Sequence, residues 1–224
     1  MSDPLLLAID TATRFAGLAL YDGSAVRSES YWRSRNNHSV ELMPALVQML
    51  ERQGSSAADL VAVGVTLGPG SFTGLRIGLS VAKGLAQAQN IPILGVPTLD
   101  ILAYQHAEQR RPIWTVIQAG RRRLCAARYA RYRGQWRQRG GIRLTTLDGL
   151  IELLTGRCLV SGELSRKEKD YIFERVESDV VFASPSQAMR RPACLAELAW
   201  QRYERGERDD VATIVPIYLH TSQA

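Results

Sequence analysis

Two stretches of the chain bring chemistry-capable residues together at turns. Leu5-Leu6-Leu7-Ala8-Ile9 is a continuous apolar run, as in a strand buried on both faces, and it breaks at Asp10-Thr11-Ala12-Thr13. A turn after a buried strand offers hydrogen-bonding groups, here Asp10, Thr11 and Thr13, for a weak, vestigial contact with a nucleotide or phosphate. The second stretch is Gly68-Pro69-Gly70-Ser71-Phe72-Thr73-Gly74-Leu75-Arg76, set between an apolar strand and a long helical pattern. Gly68, Gly70 and Gly74 let backbone come close to another group, and N–H groups running into a helix N-terminus favour anions. The same residues, Ser71 and Thr73 among them, also suit a tight strand-to-helix turn with Ser71 as N-cap. The run departs from the common phosphate loops. Leu75 follows Gly74 where a lysine would stand, and glycines at 68, 70 and 74 do not make Gly-x-Gly-x-x-Gly.

Metal and redox chemistry have less to stand on. Cys125, Cys158 and Cys194 are odd in number and far apart, which reads as reduced thiols rather than a disulfide frame, and no zinc-ligand spacing is present. His38, His106 and His220 do not cluster in sequence. No metal and no cofactor is expected. With no apolar stretch near the roughly 18 residues of a membrane span and no secretory signal pattern, the chain reads as cytoplasmic, with no membrane association.

Charge is unevenly spread. The net charge of the 224 residues is +6, yet residues 1–108 hold seven Lys/Arg against nine Asp/Glu. Between Gln109 and Leu147 there are eleven arginines, Arg121, Arg122 and Arg123 among them, and no acid; Trp114, Tyr129, Tyr132 and Trp136 are interleaved. A stretch of this kind can meet phosphates and stacked bases. It can also be the solvated side of a strand pair in a chain that uses 25 arginines to 3 lysines.

The elements that must position these residues follow from periodicity. Three strands, 5–9, 15–21 and 25–32, form a meander with a hairpin signal at Asp22-Gly23. A helix over 38–53 carries two apolar stripes, Val40, Met43, Leu46/Val47 and Leu50 on one side and Leu42, Ala45 and Met49 on the other. Pro44 within it predicts a kink or a regular helix beginning near Met43. Strand 60–66, helix 72–89, strand 93–96 and helix 98–109 follow. After Arg110-Arg111-Pro112 the order restarts with strands at 114–118, 124–132 and 141–144 and a helix from Leu147, then strands at 158–160 and 180–182 and a helix over 189–205. Two halves that each begin βββα predict a duplicated α/β fold with mixed sheets, divided into lobes 1–108 and 109–224.

A mixed sheet opening on Asp-x-x-Thr, repeated in two halves, resembles the actin-like and Hsp70-like ATPase superfamily, which also includes sugar kinases. Those ATPases need an acid near the metal in the second half. Here the matching strand end is Ile117-Gln118-Ala119-Gly120, and a neutral amide does not hold Mg²⁺ beside phosphate. Several motifs together resemble the TsaB (YeaZ) family of bacterial threonylcarbamoyladenosine biosynthesis subunits. They are Leu7–Thr13, His38 with Pro44 six residues on, Gly68–Gly78, Ala82-Lys83-Gly84-Leu85-Ala86, Gly95–Leu99 and Pro216-Ile217-Tyr218-Leu219.

That resemblance implies a subunit without catalysis of its own. It implies a TsaD-like catalytic paralogue and a TsaE-like ATPase as partners, with tRNA met through the complex. The assembly would place a threonylcarbamoyl group on N6 of adenosine 37 in tRNAs reading codons that begin with A. The catalytic paralogue carries His-x-x-x-His on its first helix; this chain has His38 followed at i+4 by Leu42, one ligand of a pair. Gly74, Gly78 and Ala82 make a stripe of small residues that lets a neighbouring backbone approach, either this chain's own sheet or a partner helix. Taken with the two-striped helix, the pattern favours a partner interface on His38, Leu42, Leu46, Met49, Arg76, Gly78 and Ala82, with homodimers when the partner is absent. The alternatives are a catalytic kinase or carbamoyl-transfer enzyme of the same superfamily, and an RNA-binding module.

Overall fold

The computed structural model describes residues 4–35, 37–106, 109–120 and 122–219. The chain divides into two units, Met1–Thr98 with Arg191–Tyr218, and Leu99–Arg190 with Leu219–Ala224.

In the first unit the apolar run becomes β1 (Leu5–Asp10), buried along its whole length. It pairs antiparallel with β2 (Phe15–Tyr21), which pairs antiparallel with β3 (Val26–Arg33). On its other side β1 pairs parallel with β4 (Leu60–Gly68), and β4 pairs parallel with β5 (Ile93–Pro97). The order is therefore β3-β2-β1-β4-β5. One face is covered by α1 (His38–Arg52) and α2 (Phe72–Gln89), whose Leu42, Leu46, Met49, Leu79, Ala82 and Ala86 join Leu7, Ile9, Leu18, Val63 and Val65 in one core. α1 starts at His38 and runs through Pro44. The opposite face takes α6 (Pro192–Glu204), which lies across β1, β2 and β4. Gly17 and Gly64 make that approach possible, since a Cβ on either would collide with Pro192 or Ala199 of α6.

The second unit repeats the plan. After α3 (Thr98–Tyr104), β6 (Ile113–Gln118), β7 (Leu124–Tyr132) and β8 (Gln135–Thr145) form an antiparallel meander. They are followed by α4 (Leu147–Leu153), β9 (Cys158–Gly162), α5 (Arg166–Phe173) and β10 (Val180–Phe182), with β9 parallel to both β6 and β10. The order β10-β9-β6-β7-β8 is that of the first sheet, so the expected duplication is real. α5 is opened by a capping box between Ser165 and Glu168.

Two expectations need correction. A linear boundary at residue 108 fails because α6 packs on the first sheet while Leu99, Leu102 and Ala103 of α3 are buried in the second unit's core. The glycine stripe of α2 faces its own sheet. Gly74, Gly78 and Ala82 are buried, and a Cβ at Gly78 would collide with the Thr11 hydroxyl. The close approach for which α2 carries helix-weakening glycines is the approach to β1, not to a partner.

Gly78→Leu should therefore destabilise the isolated chain by roughly 3 kcal/mol through overpacking. Urea unfolding checks this, and a midpoint equal to that of the wild type would return the stripe to the surface.

Candidate functional site

The turn after β1 is closed from above by the glycine loop. Asp10 and Thr11 are 1% and 0% exposed, and Thr13 is buried with them. Asp10 Oδ1 accepts from the Ala12 amide at 2.9 Å and the Thr66 hydroxyl at 3.2 Å, while the Thr11 hydroxyl donates to the Gly74 carbonyl at 2.7 Å. The Ser71 amide donates to the Ala12 carbonyl at 2.6 Å, and the Ser71 hydroxyl caps α2 by accepting from the Gly74 amide at 3.2 Å. A Cβ at Gly70 would collide with the carbonyl of Ala12, and one at Gly74 with that of Thr11. The two glycines bring the start of α2 onto the turn, where Asp10, Thr11 and Ser71 hydrogen-bond within the chain, while Thr73 is exposed. Ser71 is the N-cap of α2, as the tight-turn reading expects. Gly68 stands apart, at φ +113°, where a Cβ would meet the Ile217 carbonyl at 2.7 Å; the Ile217 amide in turn donates to the Leu67 carbonyl at 2.7 Å. The C-terminal Pro-Ile-Tyr motif is thus pinned to the end of β4.

His38 belongs to the same closed turn. It is buried, and its Nε2 donates to the Thr13 carbonyl at 3.0 Å. Leu42, one turn later where a second imidazole would be needed, lies in the core. Among the described residues no group of three His, Cys, Asp or Glu side chains is placed to hold a metal. In the second unit Gln118 ends β6 with its amide donating to the Glu163 carbonyl at 3.0 Å and to Glu168 Oε1 at 3.2 Å. Glu163 also pairs with the buried Arg190 guanidinium. The amide that replaces an acid therefore fastens the β9–α5 loop.

Exposed apolar side chains occur on the outer faces of α1 and α2. Val40, Val47 and Phe72 are 71%, 48% and 52% exposed, and Met43 joins them. Positions 40, 43 and 47 follow the i, i+3, i+7 spacing of a helix face. Between the helices runs a groove lined by Ser39, Phe72, Thr73, Arg76, Ile77 and Ser80. The Arg76 guanidinium lies 3.7 Å from the centre of the Phe72 ring and donates through Nε to the Tyr218 hydroxyl at 3.1 Å; the Tyr218 ring sits 5.0 Å from Phe72. This corrects the assignment of the two α1 stripes. Leu42, Leu46 and Met49 are core residues, while Val40, Met43 and Val47 point outward. His38, Gly78 and Ala82 also leave the candidate interface, and Arg76 stays.

Of the arginine trio, two are described. Arg121 lies outside the described residues, Arg122 sits exposed in a turn at φ +60°, and Arg123 is half-buried with its Nε enclosed and unpartnered. The longer run of exposed arginines is on β7, which the sequence pattern marks in full, and on β8, which it marks only over 141–144.

Comparison with known proteins places this geometry among relatives. The family model described as TsaD: tRNA N6-adenosine threonylcarbamoyltransferase matches residues 33–216. The chain is 31% identical over 222 residues to the tRNA threonylcarbamoyladenosine biosynthesis protein TsaB of Bacillus subtilis, spanning 98% of this chain and 95% of the relative. It is 35% identical over 226 residues to the protein of the same name from Escherichia coli, spanning 98% and 96%. Among solved structures, YeaZ from Pseudomonas aeruginosa superposes with a TM-score of 0.79 at 26% identity, over 96% of this chain and 100% of that one. A ROK hexokinase from Thermus thermophilus shares the fold alone, with a TM-score of 0.53 at 10% identity over 89% of this chain and 99% of its own.

The Gln118 geometry yields a test. Gln118→Asp would turn a carboxylate toward the Glu163 carbonyl and the Glu168 carboxylate, so it should cost about 1–3 kcal/mol of stability at neutral pH. Denaturant titration measures this, and an equal or higher midpoint would mean that the amide does not fasten the loop.

Proposed function

The chain belongs to the TsaB (YeaZ) family of tRNA threonylcarbamoyladenosine biosynthesis proteins, and from that membership we propose that it is a non-catalytic subunit which pairs through the outer face of α1 and α2. Its duplicated two-sheet architecture is the actin-like ATPase fold. In this reading the partner is a TsaD-like catalytic paralogue, joined by a TsaE-like ATPase. The assembly transfers a threonylcarbamoyl group to N6 of adenosine 37 in tRNAs that read ANN codons, and this subunit acts by completing it.

The observation that carries the reading is the outward stripe of Val40, Met43 and Val47 beside Phe72. An exposed apolar helix face suits an interaction site, and an exposed aromatic is a natural anchor. A paralogue of the same fold presents the equivalent helix pair, so two unlike chains can meet about a pseudo-twofold axis, and two copies of this chain about a true one. The non-catalytic assignment draws on the closed turn. Asp10 and Thr11 hydrogen-bond within the chain, His38 is tied to Thr13, and Gln118 stands where an acid is needed. A kinase or carbamoyl-transfer enzyme would need those groups facing substrate.

Val47→Glu should change the stability of the chain by no more than about 0.5 kcal/mol, as for an exposed site, while abolishing co-elution with the catalytic paralogue and dispersing homodimers. Size-exclusion chromatography with light scattering reads both. Leu46→Glu, one residue away, should unfold the chain instead. Pairing that survives Val47→Glu would remove α1 from the interface. The isolated chain should also show no ATP turnover.

A further inference from the structure

The β7–β8 hairpin carries a charge arrangement that neither folding nor subunit pairing explains. In its register Ala126 faces Arg143, Arg128 faces Arg139 and Ala130 faces Arg137, and residues directly opposite share a side of the sheet. Cys125, Ala127 and Tyr129 pack into the core on one side together with Trp136, Ile142 and Leu144. Arg128, Arg137, Arg139 and Arg143 therefore all project from the other side, and all four are exposed. Arg137 bonds only a neutral group, Gln135 Oε1 at 3.3 Å, and among the described residues none of the four has a carboxylate partner. Tyr132 stands half-exposed on the same side, with the Arg139 guanidinium 5.6 Å from its ring centre.

Two bland explanations fall short. Charged side chains often protect an edge strand, and β8 is an edge, but Arg128 lies on β7, which is paired on both sides. An arginine-rich composition accounts for arginine in place of lysine, but not for the absence of every acid between Gln109 and Leu147. Like charges directly opposite on a sheet destabilise it, so the Arg128–Arg139 pair works against the fold unless an anion lies over it. Guanidiniums suit this role because their planar fork meets phosphate oxygens in pairs.

We propose that this face of the hairpin binds the phosphate backbone of RNA, with Arg128, Arg137 and Arg139 on successive phosphates and Tyr132 stacking an unpaired base. Arg137 and Arg139 are two residues apart on one strand, about 6.8 Å, and Arg128 extends the row across to β7. The choice of RNA among polyanions rests on the reading of the chain as a tRNA-modification subunit; the surface itself does not. Contact through backbone phosphates needs no particular base sequence, which suits a subunit of an assembly that must accept several tRNAs.

The test uses the full chain and an unmodified tRNA transcript, with fluorescence polarisation at several salt concentrations between about 50 and 200 mM. Wild type should bind with an affinity that falls steeply with salt. The charge reversal R128E/R137E/R139E should weaken binding at least about 10-fold at low salt and flatten the log–log salt slope by about three, close to one per phosphate lost. The variant R128K/R137K/R139K should keep affinity within a few-fold, which separates charge from folding. Tyr132→Ala should cost about 5-fold or more with no change in slope. Unchanged binding by the charge reversal overturns the proposal. Equal retention on anionic phosphatidylglycerol vesicles, with no effect of Tyr132→Ala on tRNA, overturns the assignment to RNA. Pairing with the catalytic paralogue is read in parallel. Its survival in Val47→Glu counts against the subunit interface alone, and its retention in the charge reversal shows that lost tRNA binding arises at the hairpin.

Discussion

The contact between the start of α2 and the turn after β1 governs most of what this chain can do. The carbonyls of Thr11 and Ala12 and the Thr11 hydroxyl occupy the space where side chains at 70, 74 and 78 would begin, so the helix seats only because those positions are glycine. Once it is seated, Asp10 and Thr11 are enclosed and hydrogen-bonded, and the Thr13 carbonyl takes the His38 imidazole. His38 opens α1, so the same turn also anchors the second helix of this layer. The rotation of α1 about its axis, and with it the face shown to solvent, follows from how these pieces close.

That closure leaves Asp10 and Thr11 almost without solvent access. Here the first turn is filled by its own loop, and in the second unit the corresponding strand end holds an amide that fastens the β9–α5 loop. Outward, the first unit shows Val40, Met43, Val47 and Phe72, and the second shows a row of exposed arginines on β7 and β8. The apolar face suits a helix pair from another chain, since water leaves both surfaces on contact. The basic face suits a polyanion, and its affinity would depend on salt in a way that the apolar contact would not.

Duplication left the two units with the same strand order and different chemistry. The β1–β2–β3 meander carries mixed charge, while β7 and β8 are loaded with arginine on one side. β8 was legible in the sequence only over 141–144, because Gln135–Gly140 has no run of apolar alternation and carries glycine and arginine in its place. That part is strand because β7 pairs with it from Arg128 to Tyr132. The placement of α6 was hidden for a similar reason. Its helical period is plain, but the glycines that receive it, Gly17 and Gly64, lie some 130 to 180 residues earlier.

By itself the sequence determined the strands and helices of the first 100 residues, the duplicated βββα plan, the enclosed apolar run that ends at Asp10 and the family resemblance. These rest on local periodicity, on turn residues and on motif spacing, all of which are properties of neighbours along the chain. It also showed that α1 has two apolar stripes and that α2 has a bare one. Only the tertiary structure decided that Leu42, Leu46 and Met49 go inward, that Val40, Met43 and Val47 go outward, that Gly78 meets Thr11, and that Arg128 faces Arg139. Periodicity tells how far apart the faces of an element are, but not which face meets the core. That phase is set by contacts between residues far apart in the chain, and those exist only once the sheet has formed.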